Sequence, residues 1–255
     1  MTNTASPFIQ LLASWDAWAV TGLLVLGLPS FAYFGLYKGA RSQNYFGRLS
    51  KVGTHLWISG ALWFTLLALV IVAARHGLSL ADMGISWANP MRQIATTVVV
   101  LALLSTMTLL DFRKHQRMSP DALGKKLATV QHIFPSNRAE MTSFVIMAMS
   151  AGICEELMYR GWLMNLMDVA TGSVWIGLLL SSVAFGLGHA YQGPQGMIGT
   201  GVVGLVLGLL YMWLGSLVPV QIIHAFVNLS SGFMCVWLMR VVSAPAFQTA
   251  PQSST

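Results

Sequence analysis

Charge is what this sequence has least of. Of 255 residues, 14 are Lys or Arg and 8 are Asp or Glu, so 9% carry formal charge, against about 25% in an average soluble domain. A soluble domain of this size covers itself with polar groups. An apolar content of 55% and a mean hydropathy of +0.67 exclude that on its own, and exclude disorder as well. Cysteine is nearly missing too: Cys154 and Cys235 lie inside apolar runs with no CxxC spacing, which excludes a disulfide framework and a cysteine-based zinc site. Residues 1–17 hold no Lys or Arg. The basic start of a secretory leader is therefore absent, and the apolar stretch that follows reads as a retained span. The net charge of +6 would suit a nucleic acid only if the basic residues clustered on one surface. All but Arg160 fall outside the apolar runs, no nucleic-acid motif accompanies them, and no nucleic-acid partner is expected.

What is present is a series of long apolar runs. A spanning helix needs about 20 predominantly apolar residues, and runs of that kind lie near 18–37, 54–74, 94–110, 142–164, 174–190, 197–214 and 218–239. The predicted fold is an all-α polytopic transmembrane helix bundle of about seven spans, or eight if 77–93 or 120–136 also enters the bilayer. Residues 1–255 form one integral membrane domain, with a disordered tail at 241–255 rich in Pro, Ser, Thr and Gln. The stretch LSLADMGISWANP at 78–90 reads as a short interfacial helix closed by an Asn-Pro turn. Eleven basic residues (Lys38, Arg41, Arg48, Lys51, Arg113, Lys114, Arg117, Lys125, Lys126, Arg138, Arg240) fall on one side of these runs and two, Arg75 and Arg92, on the other. Cytoplasmic loops collect Lys and Arg, so seven spans put the N-terminus outside and the C-terminus in the cytoplasm. The positive charge then reports topology and contact with the lipid bilayer. In the sixth run Gly196, Thr200, Gly204 and Gly208 recur at four-residue steps, a ridge of small residues of the kind that lets helices approach closely.

Three charges remain inside the runs, Glu155, Glu156 and Arg160, all in AGICEELMYRGWL. Intramembrane ionisable groups cost at least ~2.5–3.5 kcal/mol each on insertion scales and mark functional sites by default. Glu156 and Arg160 stand at i and i+4 and can pair on one face. Glu155 and Arg160 are five apart, about 140° around a helix, which leaves Glu155 without a local cation and available for acid–base work. The later runs add His189 at the end of SSVAFGLGH, with Phe185 one turn earlier and Gly186 and Gly188 leaving room around the imidazole. His224 and Asn228 share one face of QIIHAFVNLSSG. Cys154, beside Glu155, reads as packing. A carboxylate and an imidazole can deprotonate water, while a second imidazole and an amide donate to the oxyanion that forms when this water attacks a carbonyl. That is peptide hydrolysis without a covalent intermediate. The same set, Glu155, His189 and His224, could instead bind zinc, and residue identity alone leaves both open, although HExxH is missing.

EExxxR (Glu155, Glu156, Arg160), FxxxH (Phe185, His189) and HxxxN (His224, Asn228), in order over about 150–230, resemble the CPBP family of intramembrane endopeptidases. That family includes CAAX prenyl endopeptidases and bacterial members linked to bacteriocin maturation or self-immunity. The resemblance implies a membrane-embedded protease with its catalytic helix core at 141–239. In it Glu155 activates water with His189, His224 and Asn228 stabilise the oxyanion, and Glu156 and Arg160 support the site. It implies no required cofactor, a membrane-associated peptide or protein as substrate, and residence in a bacterial inner (plasma) membrane. Two other readings use the same residues. One is a non-catalytic membrane adaptor or bacteriocin-immunity protein. The other is a proton-coupled transporter with Glu155, His189 and His224 as relay. Counted along the runs, Glu155, His189 and His224 lie at different depths, which predicts tilted or broken helices around a polar cavity.

Overall fold

All seven apolar runs form helices, as they must where the backbone has no water to bond and each segment has to satisfy its own N–H and C=O groups. In the computed structural model, which describes residues 6–37, 49–119, 122–124 and 133–242, these are α1 Trp15–Leu36, α2 Lys51–Arg75, α3 Pro90–His115, α4 Arg138–Thr171, α5 Val174–Gly188, α6 Gly193–Leu214 and α7 Leu217–Val242. A short 3-10 helix, Pro7–Ala13, precedes α1. No strand occurs among the described residues. All but α5 are long and apolar enough to cross a membrane. The fifth run is shorter than expected: α5 has 15 residues, about 22 Å against a hydrocarbon core of about 30 Å. It stops because Gly188, His189 and a 3-10 turn at Ala190–Gln192 break the α-helical register, and Gly193 then turns at φ +79.

The longest helix, α4, is also the innermost, with 61% of its apolar window buried, and it packs against α2, α5 and α7. Its second half, Leu157–Met164, widens into a π-helix that is buried throughout. Trp162 there is fully buried, meets Phe8 edge-on at 6.1 Å and donates its indole N–H to Thr21 Oγ1 at 2.9 Å. By contrast α3 has 6% of its window buried and packs chiefly on α7. Trp15, Trp87, Trp175 and Trp213, each more than half exposed, all sit at one end of the bundle, at the start of α1, before α3, at the start of α5 and at the end of α6. That is the placement of tryptophan at a membrane–water interface. Lys51, Arg113, Lys114, Arg138 and Arg240 sit at the other end.

Residues 78–90 correct the sequence reading: they form turns, not an interfacial helix. The Asp82 carboxylate takes the Ser79 N–H at 2.7 Å and the Ser79 hydroxyl at 2.6 Å, and Gly84 adopts φ +90, which ends the turn. The chain is then tied to the α6–α7 turn, where the Leu217 N–H donates to Gly84 O at 2.8 Å and the Ser216 hydroxyl to Ser86 O at 2.7 Å. Ser216 and Leu217 are fully buried, so α7 begins inside the protein. Residues 77–93 therefore supply no eighth span, and 120–136 lie largely outside the described residues. So do Lys38, Arg41, Arg48, Lys125, Lys126 and the tail from 243 onward.

The small-residue ridge of α6 packs only in part. A Cβ on Gly204 would stand 3.0 Å from Phe185 Cδ1, and one on Gly208 would collide with Leu178, but Gly196 faces only Gln192 of its own turn. A close backbone approach of α5 and α6 lies off the ridge. A Cβ on Gly186 would stand 2.7 Å from Met197 O and 3.1 Å from Gly201 Cα.

Candidate active site

Glu156 and Arg160 come together as their spacing predicts. The guanidinium Nη1 donates to Glu156 Oε1 at 2.8 Å, and both residues are fully buried. Nη2 donates to Gly204 O at 2.7 Å and Cζ lies 4.7 Å from the centre of the Phe185 ring, while Nε is buried without a hydrogen-bond partner. Gly204 is what lets this group reach the α6 backbone, since a Cβ there would lie 3.4 Å from Nη2.

The same Glu156 Oε1 accepts a second bond, from His224 Nδ1 at 2.7 Å. A carboxylate held by Arg160 has no proton to give, so His224 Nδ1 carries the hydrogen, an assignment made from the bonding pattern. The ring's other nitrogen, Nε2, stands 3.6 Å from Glu155 Oε2. That oxygen is buried and makes no hydrogen bond. His224 thus bridges the two glutamates, one side anchored and the other facing an unpartnered carboxylate oxygen. Taken with Arg160, the set is electroneutral when a single proton is shared between Glu155 and His224, the condition under which charges tolerate burial.

His189 caps the C-terminus of α5. Its Nδ1 donates to Phe185 O at 2.8 Å, which leaves Nε2 with a lone pair, and its ring lies 4.6 Å from that of Phe185. Phe185 therefore touches His189, His224 and Arg160 at once. The two glycines beside it serve other neighbours than the imidazole. Gly186 accommodates Met197 O and Gly201 of α6, and Gly188 the Tyr159 hydroxyl. Glu155, His189, His224 and Asn228 all line one cavity of about 300 Å³, so the structure brings together all four residues singled out in the sequence. The depth mismatch resolves through the buried start of α7 and the early end of α5, which bring His224 and His189 level with Glu155. Helices do break around this cavity, as the mismatch implied. Cys154 is fully buried in the core, consistent with packing.

Sequence reasoning passed over Tyr191 and Gln192 and read Thr200 only as part of a packing ridge; all three also line the cavity. Tyr191 and Gln192 stand two and three residues after His189 and could have been suspected on that ground. It also passed over His55 on α2, whose fully buried ring bonds Ser143 Oγ at 2.8 Å and Ile133 O at 2.6 Å. Among the described residues no three His, Cys, Asp or Glu side chains converge on a point where one ion could be held, Glu155, His189 and His224 included. In this arrangement one nitrogen of each histidine is already committed, His224 to Glu156 and His189 to Phe185 O.

No curated protein and no solved structure matches the chain. Residues 137–230, from the N-cap of α4 to the middle of α7, match the family described as type II CAAX prenyl endopeptidase, Rce1-like, a protease family and the one that the EExxxR, FxxxH and HxxxN motifs imply.

Proposed function

We propose that the protein is an intramembrane endopeptidase that cleaves a membrane-associated peptide or protein by glutamate-activated water. The observation that carries this reading is the buried, unpartnered Glu155 Oε2 facing a cavity shared with two histidines and an asparagine. Glu155 and the bare Nε2 of His189 hold a water between them. As that water attacks the scissile carbonyl carbon its proton passes to Glu155, and the carbonyl oxygen becomes an oxyanion. His224, doubly protonated while Glu155 is ionised, presents Nε2–H to the oxyanion, and Asn228 adds an amide N–H. Collapse of the tetrahedral species expels the amine, which takes the proton from Glu155. Glu156 and Arg160 act through His224, holding its Nδ1–H and its ring plane. Each of these steps uses protein side chains and water.

Topology follows the two marked ends. The end bearing Lys51, Arg113, Lys114, Arg138 and Arg240 faces the cytoplasm of a bacterial cell, with the N-terminus outside. The decisive experiment compares the membrane peptidomes of cells carrying the wild type and Glu155→Gln. Loss of specific cleavage products, with the variant still accumulating in membranes, is expected, and likewise for His189→Ala and His224→Ala. Undiminished cleavage by Glu155→Gln refutes the reading. A protective phenotype that survives Glu155→Gln assigns the chain to the non-catalytic adaptors.

A further inference from the structure

The candidate cavity has a wall that neither its motifs nor its chemistry accounts for. Ile133 and Phe134, in the segment leading into α4, close it on the side of the basic helix ends. This wall is built to stay in place. Pro135 restricts Phe134 to extended backbone, His55 Nε2 bonds Ile133 O at 2.6 Å, and the Ser136 N–H and hydroxyl both donate to Glu140 Oε2, at 2.8 and 2.7 Å. Lys51 completes the clasp at 3.1 Å from Ser136 Oγ. The Phe134 ring itself leans on Phe144 at 5.5 Å, and Phe144 on His55 at 5.7 Å.

Behind Phe134 lies a second space. A groove of about 380 Å³ runs between α3 and α7, with Leu104, Met107, Met234 and Leu238 in its walls, and it shares Phe134, Val227 and Ser231 with the first cavity. Its outer wall, α3, is the least embedded helix of the bundle. On the other flank of Glu155 is a recess of about 50 Å³ between Leu28, Phe31 and Leu62, which shares Glu155, His189 and Tyr191 with the first cavity. At about 30 Å³ per water, that recess holds two waters or a side chain no larger than that of alanine or serine. The three spaces are contiguous and unequal, with Glu155 between the smallest and the others.

We propose that they form one cleft for an extended substrate polypeptide, in which Phe134 is the specificity-determining residue. The small recess takes a small side chain on one side of the scissile bond. The α3–α7 groove takes a bulky apolar side chain on the other, entering past Phe134 from the lipid beside α3. The walls are mainly apolar, with Asp111 and His115 also in the lining; they select the character of that side chain, and the fixed position of Phe134 selects its size. The inference rests on Glu155 being the reacting group.

The test uses the full-length protein in lipid nanodiscs and membrane-embedded peptides in which one residue beside a central alanine is varied among Ala, Val, Leu, Phe and Trp. Phe134→Ala is expected to raise the ratio of kcat/KM for the Trp peptide over the Val peptide by about tenfold or more, and Phe134→Trp to lower it by a similar factor, the scale on which apolar pockets discriminate. Phe134→Leu, which keeps an apolar wall, covers the case in which the alanine variant does not fold. Cleavage with an unchanged size preference in all three variants overturns the inference. Binding is read separately from hydrolysis in Glu155→Gln protein carrying Ser231→Cys with Cys154→Ala and Cys235→Ala. The Phe and Trp peptides are expected to slow maleimide labelling of the new thiol, and Phe134→Trp to abolish that protection. Protection by no peptide refutes the cleft even where hydrolysis stands. Protection without hydrolysis in Glu155-intact protein supports the cleft and refutes the protease reading.

Discussion

Replacing Glu156 by Gln removes one negative charge from the centre of α4 at almost constant side-chain volume, and two neighbours feel it. Arg160 is fully buried and its cationic charge is balanced by Glu156 at 2.8 Å. Its remaining contacts, Gly204 O and the Phe185 ring, carry no formal charge. Breaking a buried ion pair by removing one partner costs about 3–5 kcal/mol, mostly the penalty of the charge left behind. For a chain of this size that is a fall in melting temperature of roughly 6–20 °C, at ~2–4 °C per kcal/mol. The second neighbour is His224, which loses the carboxylate that fixes its Nδ1–H. Loss of an orienting partner of this kind lowers activity by about 10–100-fold. The double variant Glu156→Gln/Arg160→Met separates the two effects, because removing both charges from a buried site is often neutral for stability. Tryptophan-fluorescence melting in one fixed detergent should therefore show a large loss for Glu156→Gln and recovery in the double variant, while peptide cleavage stays low in both. Full cleavage by the double variant would sink the argument that Glu156 acts through His224. An unshifted melting temperature for Glu156→Gln would sink the claim that it neutralises Arg160.

Other consequences can be checked on the same preparations. Gly204→Ala places a Cβ 3.0 Å from Phe185 Cδ1 and 3.4 Å from Arg160 Nη2, and overpacking of this kind costs about 1–3 kcal/mol. Gly199→Ala, with nothing within 4 Å of its Cβ, should be neutral or gain up to about 1 kcal/mol from helix propensity, so equal melting shifts for the two would refute the close approach at Gly204. Asp82 is held below the usual carboxylate range by the Ser79 hydroxyl and amide. With the folded-state value depressed, its contribution is present above the ordinary carboxylate range and is lost as pH falls through it. Asp82→Asn should therefore lower the melting temperature at neutral pH and differ less from wild type toward acid pH; a constant offset would show that the turn does not use the charge. Exhaustive chelation followed by elemental analysis should leave cleavage unchanged and zinc substoichiometric. Activity lost on chelation and restored by zinc would require Glu155, His189 and His224 to move onto one ion.

The sequence by itself determined what depends on local spacing and on composition. The scarcity of charge and the length of the apolar runs dictated helices in a membrane, because a backbone without water must bond to itself. The i, i+4 rule paired Glu156 with Arg160 because both ride on one helix whose geometry is known in advance. The same rule left Glu155 over. The shortness of α5 and the turns at 78–90 were less legible, since in both places glycines with positive φ and side-chain bonds to the backbone override apolar pattern.

Only the tertiary structure decided where His224 goes. Counted from the end of its run, it lay at the wrong depth to meet Glu155. What sets its height is a buried turn at Ser216 and Leu217, tied to Gly84 and Ser86 of a loop more than a hundred residues earlier. Neither residue pattern nor helical period encodes that pairing. The placement of Phe134 against the cavity is of the same kind, since it depends on a histidine in α2 and a serine pair to a carboxylate in α4. Spacing along one helix is fixed by covalent geometry. The approach of two helices is fixed by whichever side chains and turns come between them, and these appear only when the chain is folded.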